Sequence, residues 1–354
     1  MNEKTNTQFE TENILKSDVR LKKSLVPLVI ICMSVLLALL IAFYIFLRFY
    51  NKYTFTCVMN PDGASCTITE IGDRAIMQFV YFPDELEIPE TVEGVRVTGI
   101  GAEAAKGDGR FKTVIAGAGI TDIGEGAFEA CENLESVILG GNLETVGDNA
   151  FKNCFSLASI ERGSAKSIGE GAFEGCASLV SFNFSATENV GERAFYGCSL
   201  LEKAEFGAAC RKIGNEAFWG CRGLTSVKIT GVGEIGEYAF WGCTSIPALN
   251  LNCVEAIGAG AFSGCVSLKN ISVGEIVKEI GDRAFSGCAL IAEVHFPESI
   301  RSIGECVFEK CTSLKEVRYK DYAEKWENVS LGKCWLEGSS VTAIRCFDRV
   351  IPVE

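Results

Sequence analysis

One phrase, Ile-Gly-x-x-Ala-Phe-x-x-Cys-x-x-Leu-x-x-Val-x-Leu, recurs nine times with modest substitutions, and a recurrence at fixed spacing confines the fold more than any other feature of this chain. Its phenylalanines, Phe128, Phe151, Phe173, Phe195, Phe218, Phe240, Phe262, Phe285 and Phe308, follow one another at 22 or 23 residues. So short a unit cannot bury its own apolar side. Stability must come from stacking on neighbours, which makes a solenoid with capped ends.

Within a repeat such as Leu134 to Leu139, Val137 and Leu139 alternate with polar or small residues, the period of a short strand with one buried side. Stacked strands give a parallel sheet, and at roughly 4.8 Å per rung nine of them span about 40 Å. The segment from Ile123-Gly124 through Phe128 to Cys131 is expected to form the opposite wall as a short helical or 3₁₀ turn, with the Gly124 column supplying tight bends. Three residues after each Phe stands a cysteine, from Cys131 to Cys311, so nine of the seventeen cysteines form one column. With one site per coil and no C-x-x-C spacing, these are read as small buried hydrophobes, not a metal or redox centre.

The rest of the chain frames the repeats. Residues 24–47 carry no charge, long enough to span a bilayer. No small-residue cleavage site follows, which predicts an uncleaved transmembrane anchor. Lys4, Lys16, Arg20, Lys22 and Lys23 before it, against Arg48 and Lys52 after it, place residues 1–23 in the cytoplasm and the repeats outside the cell. Residues 48–99 read as a juxtamembrane hairpin and N-terminal cap, 100–319 as one degenerate plus nine regular coils, and 320–354 as a separate C-terminal cap. In the hairpin, a turn centred on Pro61-Asp62 sets Cys57 opposite Cys66, and a disulfide between them is expected outside the cell.

Of the formal charge of −13, residues 1–52 contribute seven Lys/Arg and four Asp/Glu, so the distal part stands at −16. That balance excludes a nucleic-acid partner. The single histidine, His295, removes catalytic triads and histidine-rich zinc sites, and the sequence offers it no evident carboxylate partner. No enzyme, cofactor or metal site is expected. Partners are the membrane and a protein or glycan ligand outside the cell, with self-association as the competing reading.

Two columns are candidate binding surfaces. One residue after each Phe the chain is polar except at Tyr196, Trp219 and Trp241, three consecutive coils, with Tyr238 close by. A vertical strip of rings favours partner contacts. Equally, the rings can pack laterally on their own coil edge or join two solenoids. The alternating strand column, with Glu205, Lys228, Asn250, His295 and Arg318, is expected on the concave side. It is of mixed sign, which suits either hydrogen bonding to a ligand or a solvated face.

The phrase itself, the entry segment Ile88-Pro89 to Gly101 and the exit from Tyr319 through Trp326 to Cys346 resemble the BspA-type leucine-rich repeats of microbial surface proteins over residues 84–350. The resemblance implies a curved solenoid, surface exposure and, for some members, binding of host or neighbouring-cell proteins or matrix. It implies no reaction and no fixed binding residues. The expected fold class is an α/β-type repeat solenoid of the leucine-rich-repeat kind, a parallel β ladder with short helical or 3₁₀ turns, preceded by one transmembrane helix. Arg162, where a buried Leu-like residue is expected, and Cys306-Val307 in place of x-Ala depart from the pattern and mark local irregularity.

Overall fold

A computed structural model describes residues 33–41, 53–73, 84–141 and 143–353. The chain divides into two compact units, Met1–Thr54 with Asp73–Met77, and Phe55–Gly72 with Gln78–Glu354. In the first, residues 33–41 form a helix whose apolar side chains are exposed. Among the described residues no helix is long and apolar enough to cross a membrane. The remainder of the expected span, 24–32 and 42–47, lies outside the described residues.

The second unit is a parallel β-solenoid. Its continuous ladder runs through the two residues that end at each Ile or Val of the Ile-Gly column. From Asp122–Ile123 to Ser330–Leu331, successive coils pair in parallel within one 14-stranded sheet that begins at the N-terminal hairpin. The Leu-x-x-Val-x-Leu strands pair in register too, but only in separate sheets of four, two, two and four strands. The expected single ladder therefore lies on the other wall. Spacing accounts for this in part: every coil has five residues from Ile to Phe and nine from Phe to the central apolar residue of the strand, whereas the segment after that strand has eight or nine residues.

Between the ladders the wall is a series of turns, not a helix. Every second N–H reaches the next coil: Gly126 donates to Asp148 O at 2.8 Å, Phe128 to Ala150 O at 2.8 Å and Ala130 to Lys152 O at 2.7 Å. The intervening amides close local turns, as Glu129 does to Gly126 O at 3.0 Å. Two positions per coil are left-handed, the residue before Ala and the residue before Cys, for example Gly126 at φ 56° and Ala130 at φ 56°. A left-handed residue at every fourth position limits the chain to single turns, which is why the expected helical or 3₁₀ segment is absent.

The Ile-Gly glycines serve a different purpose from the expected bend. None of them is left-handed. A Cβ at Gly214 would fall 2.6 Å from Glu192 N and from Gly191 C of the preceding coil. Glycine is required there because two backbones meet.

Inside, the nine phenylalanine rings form one stack, with centroids 5.0 to 5.5 Å apart and tilts of at most 18°. In the strand column Phe182 is followed one coil later by Ala204, and its ring sits 5.5 Å from Phe195, so a large and a small residue share one layer. At Arg162 the strand ends early: Arg162 is exposed at φ 58° and Gly163 is covered by Leu139 and Ile160.

The coil pattern runs on into the closing segment. Ser330–Leu331 extends the ladder, Phe308 N donates to Trp335 O at 2.8 Å, and Leu331-Gly332 takes the Ile-Gly place. Residues 330–338 are thus a degenerate further coil, and the short helix Ala323–Trp326 sets Trp326 against Tyr319, Phe296 and Trp335.

Two glycines of one coil separate the two constraints. Gly214→Ala must move backbone and is expected to cost about 3 kcal/mol or more. Gly220→Ala, at φ 69° with open space around it, should cost only about 1 kcal/mol. Urea denaturation of both variants measures this, and equal losses would contradict the assignment.

Candidate binding surface

At Tyr196, Trp219 and Trp241 the column one residue past the stacked Phe is partly exposed, and the structure brings these three together with Tyr238 from a neighbouring column. Tyr196 and Trp219 stack at 5.8 Å and 17°, and Trp219 and Trp241 at 4.1 Å and 22°. Tyr238 lies 5.7 Å from Trp219 at 54°. Its backbone is left-handed, φ 54°, an uncommon state for a bulky residue. A Cβ at Gly260 would stand 2.4 Å from Cδ1 and Cε1 of Tyr238, so the tyrosine ring lies directly on that glycine.

Two members of this cluster escaped the sequence reading. The Arg193 guanidinium caps the far side of Tyr196 at 4.4 Å and pairs with Glu174 at 2.9 Å. Gly260 makes the room for Tyr238. Both sit in the left-handed column before Ala, which the sequence shows only as a position of mixed residue type.

The second candidate set is not one site. Glu205 and Lys228 form an ion pair at 2.9 Å, and that hydrogen bond, with one from Ser226, holds the Glu205 carboxyl below its ordinary range. Asn250 accepts the Asn252 amide at 3.1 Å. Further along, His295 Nε2 stands 3.5 Å from the Glu293 carboxylate, the partner the sequence did not reveal. Arg318 is in register with His295 and donates to Glu316 at 2.9 Å. These residues ride on the interrupted strands. The groove, of about 600 Å³, runs instead along the continuous ladder, lined by Glu234, Glu237, Glu279, Asp282 and Glu305 among others, and by none of the five candidates.

The cysteine column is core with one addition. Each thiol points at a carbonyl of the preceding coil, as Cys221 does at Phe195 O, 3.1 Å, and Cys243 at Phe218 O, 3.1 Å. From Cys176 to Cys311 burial pushes the column thiols up, Cys176 to about 12.

The expected Cys57–Cys66 disulfide is not formed: both are free thiols, and burial with Cys57 alongside pushes Cys66 up to about 11. The turn closes by Asn60 N donating to Ser65 O at 2.9 Å, so it is not centred on Pro61-Asp62 and the two cysteines are neighbours without standing directly opposite each other. The disulfide joins Cys306 to Cys334, with Cα atoms 4.7 Å apart, across the last two coils. Among the described residues the one cluster of potential metal ligands is this same pair with Glu337, and its sulfurs are bonded to each other.

Coils of this length, stacked through a continuous parallel ladder around a phenylalanine column, define a leucine-rich-repeat solenoid. Residues 98–225, 162–253 and 233–344 match the family described as the BspA type leucine rich repeat region. The matches cover more than half of the chain, which therefore belongs to that family. Similar solved structures include a leucine-rich repeat protein from Bacteroides ovatus, at 20% identity over 80% of this chain and 90% of that one, TM-score 0.36. A leucine-rich cell surface protein from Faecalibacterium prausnitzii matches at 19% identity over 79% and 96%, TM-score 0.41. The pneumococcal vaccine antigen PcpA matches at 18% over 84% and 86%, TM-score 0.48. No curated protein sequence matches the chain.

Alkylation of the native protein with iodoacetamide at neutral pH should modify exposed Cys253 first and leave the column thiols untouched until denaturation. Mass spectrometry reads this, and native-state modification of Cys221 would contradict the burial. Reducing Cys306–Cys334 should remove up to about 3.5 kcal/mol from the terminal coil alone. Amide exchange over residues 330–338 would quicken while coils around Phe195 stay protected; uniform loosening would refute a local role.

Proposed function

We propose that the chain is a single-pass, membrane-anchored surface protein with a cytoplasmic N-terminus, whose solenoid binds a protein partner outside the cell without catalysing a reaction. Membership of the BspA-type family and the uncharged run 24–47 support the placement, and a disulfide at Cys306–Cys334 suits an oxidising compartment. The observation that carries the binding role is the gathering of Tyr196, Trp219 and Trp241 on one partly exposed strip, in a column that is otherwise polar, with Tyr238 of a neighbouring column against Trp219. Contiguous partly exposed aromatics are the residues that anchor protein interfaces.

A second reading is an envelope protein that packs against its own copies. Phe347, 77% exposed beside Tyr322, and the open edge strand Val350–Pro352 favour it.

Changing Tyr196, Trp219 and Trp241 together to Ala in the full chain should leave the protein folded on the cell and abolish its binding to host cells or matrix. Retained binding would sink the strip. Protease added to intact cells should remove the repeats, whereas full protection would refute the outward orientation.

A further inference from the structure

Most ring faces in the strip are already occupied. Arg193 covers Tyr196, Tyr196 and Trp219 cover each other, and Trp219 covers one face of Trp241. The opposite face of Trp241, a residue 36% exposed, meets no ring or cation among the described residues. The column continues there as Ser263 and Ser286, too short to reach it. Tyr238, three residues before Trp241 in the same coil, lies on Gly260 of the next coil.

We propose that this open face takes an arginine side chain from a basic segment of a partner protein, the segment continuing along the carboxylates of the adjoining groove. This deepens the binding role proposed above and rests on it. Two observations and one general property of the guanidinium group select the occupant. The strip already accepts a guanidinium at its other end, where Arg193 lies 4.4 Å from the Tyr196 centroid. Planar guanidinium stacks on indole better than a compact ammonium does. The groove begins one residue from the strip, at Glu237 before Tyr238, and Gly260 donates its N–H to Asp282 O at 2.7 Å. Its lining holds five carboxylates and no lysine or arginine; among the described residues only Glu234 of the five has an ion-pair partner, Lys212, while Asp282 accepts the Glu305 amide at 2.7 Å. Arg283, the nearest cation along the left-handed column, is matched by Glu309 at 3.8 Å. A cationic segment would therefore find complementary charge beside an unfilled stacking face.

The test uses the full chain in detergent micelles, titrated with a short Arg-Gly repeat peptide, the matching Lys-Gly peptide and a neutral oligosaccharide. The Arg peptide should bind with a change in tryptophan emission, and the Lys peptide should bind several-fold more weakly. Trp241→Ser should lower Arg-peptide affinity about 10-fold. That variant places in the column the residue the next two coils carry, so it folds, and an unchanged circular dichroism melt checks this. Trp241→Phe should restore part of the affinity. Equal binding of the Arg peptide to wild type and Trp241→Ser, equal affinity of the Arg and Lys peptides, no binding, or Trp241-dependent binding of the saccharide instead would each overturn the proposal. If the triple strip variant loses cell or matrix binding while Arg peptide does not distinguish Trp241→Ser, this inference falls and the strip stands. If the triple variant keeps that binding, the strip falls as well.

Discussion

The approach of one coil's backbone to the next governs the rest of this molecule. Ladder hydrogen bonds hold neighbouring strands at about 4.8 Å, and in the wall between the ladders every second amide bonds to the next coil as well. At that spacing no Cβ fits in the Ile-Gly column, where a built Cβ at Gly191 would lie 2.5 Å from Gly169 C. The same spacing puts phenylalanine rings 5.0 to 5.5 Å apart, within the range of offset stacking. The ring stack and the glycine column are two consequences of one translation.

The cysteines follow from it too. In the turn wall the carbonyls alternate in their duties: those of Ala150 and Lys152 receive an amide from the preceding coil, while that of Phe128 receives only the local amide of Cys131. Its second lone pair is filled by the Cys154 thiol at 3.0 Å. The position needs a side chain small enough to sit between phenylalanine layers, apolar enough to be fully buried and able to donate a weak hydrogen bond. Alanine meets the first two needs, serine the first and third, and cysteine all three. Burial also disfavours the thiolate at positions such as Cys221 and Cys288, so thiols can be stacked in the core without being reactive.

Much of this was legible because a strict period aligns equal positions vertically. The phenylalanine and cysteine columns, the nine regular coils and the closeness of Tyr196, Trp219 and Trp241 need only the spacing. What was not legible has physical causes. A two-residue strand such as Asp122–Ile123 is too short to show alternation, so the longer Leu134 to Leu139 pattern drew the ladder to the wrong wall. The left-handed column before cysteine is glycine from Gly175 to Gly287, but Ala130, Asn153 and Lys310 blur it, and φ is not a property of composition. The last coil was hidden because Leu336 stands where phenylalanine does elsewhere and Trp335 where alanine does, so Cys334 could not be aligned with Cys306. Sequence placed the strip residues side by side but could not say that their faces are spent on one another.

That last point decides where recognition can occur. A column cannot change residue type inside the core without breaking the stack, so specificity has to be written in the outward columns. There, one tryptophan alone would leave two faces in water; consecutive rings bury each other's faces, so a strip is less costly per ring than isolated aromatics. A run of stacked rings nevertheless has two ends. At Tyr196 the end is closed by Arg193, itself anchored by Glu174. At Trp241 the sequence turns to serine with nothing to close it, while the neighbouring left-handed position holds Tyr238, whose backbone costs about 1–2 kcal/mol relative to a right-handed state. Every coil is left-handed at this position, and Arg193, Glu216 and Arg283 carry the same backbone cost that Gly260 avoids one coil later. Aromatic side chains left partly in water where the next coil carries glycine and serine add nothing to the buried core, and they fit the binding role proposed for the strip.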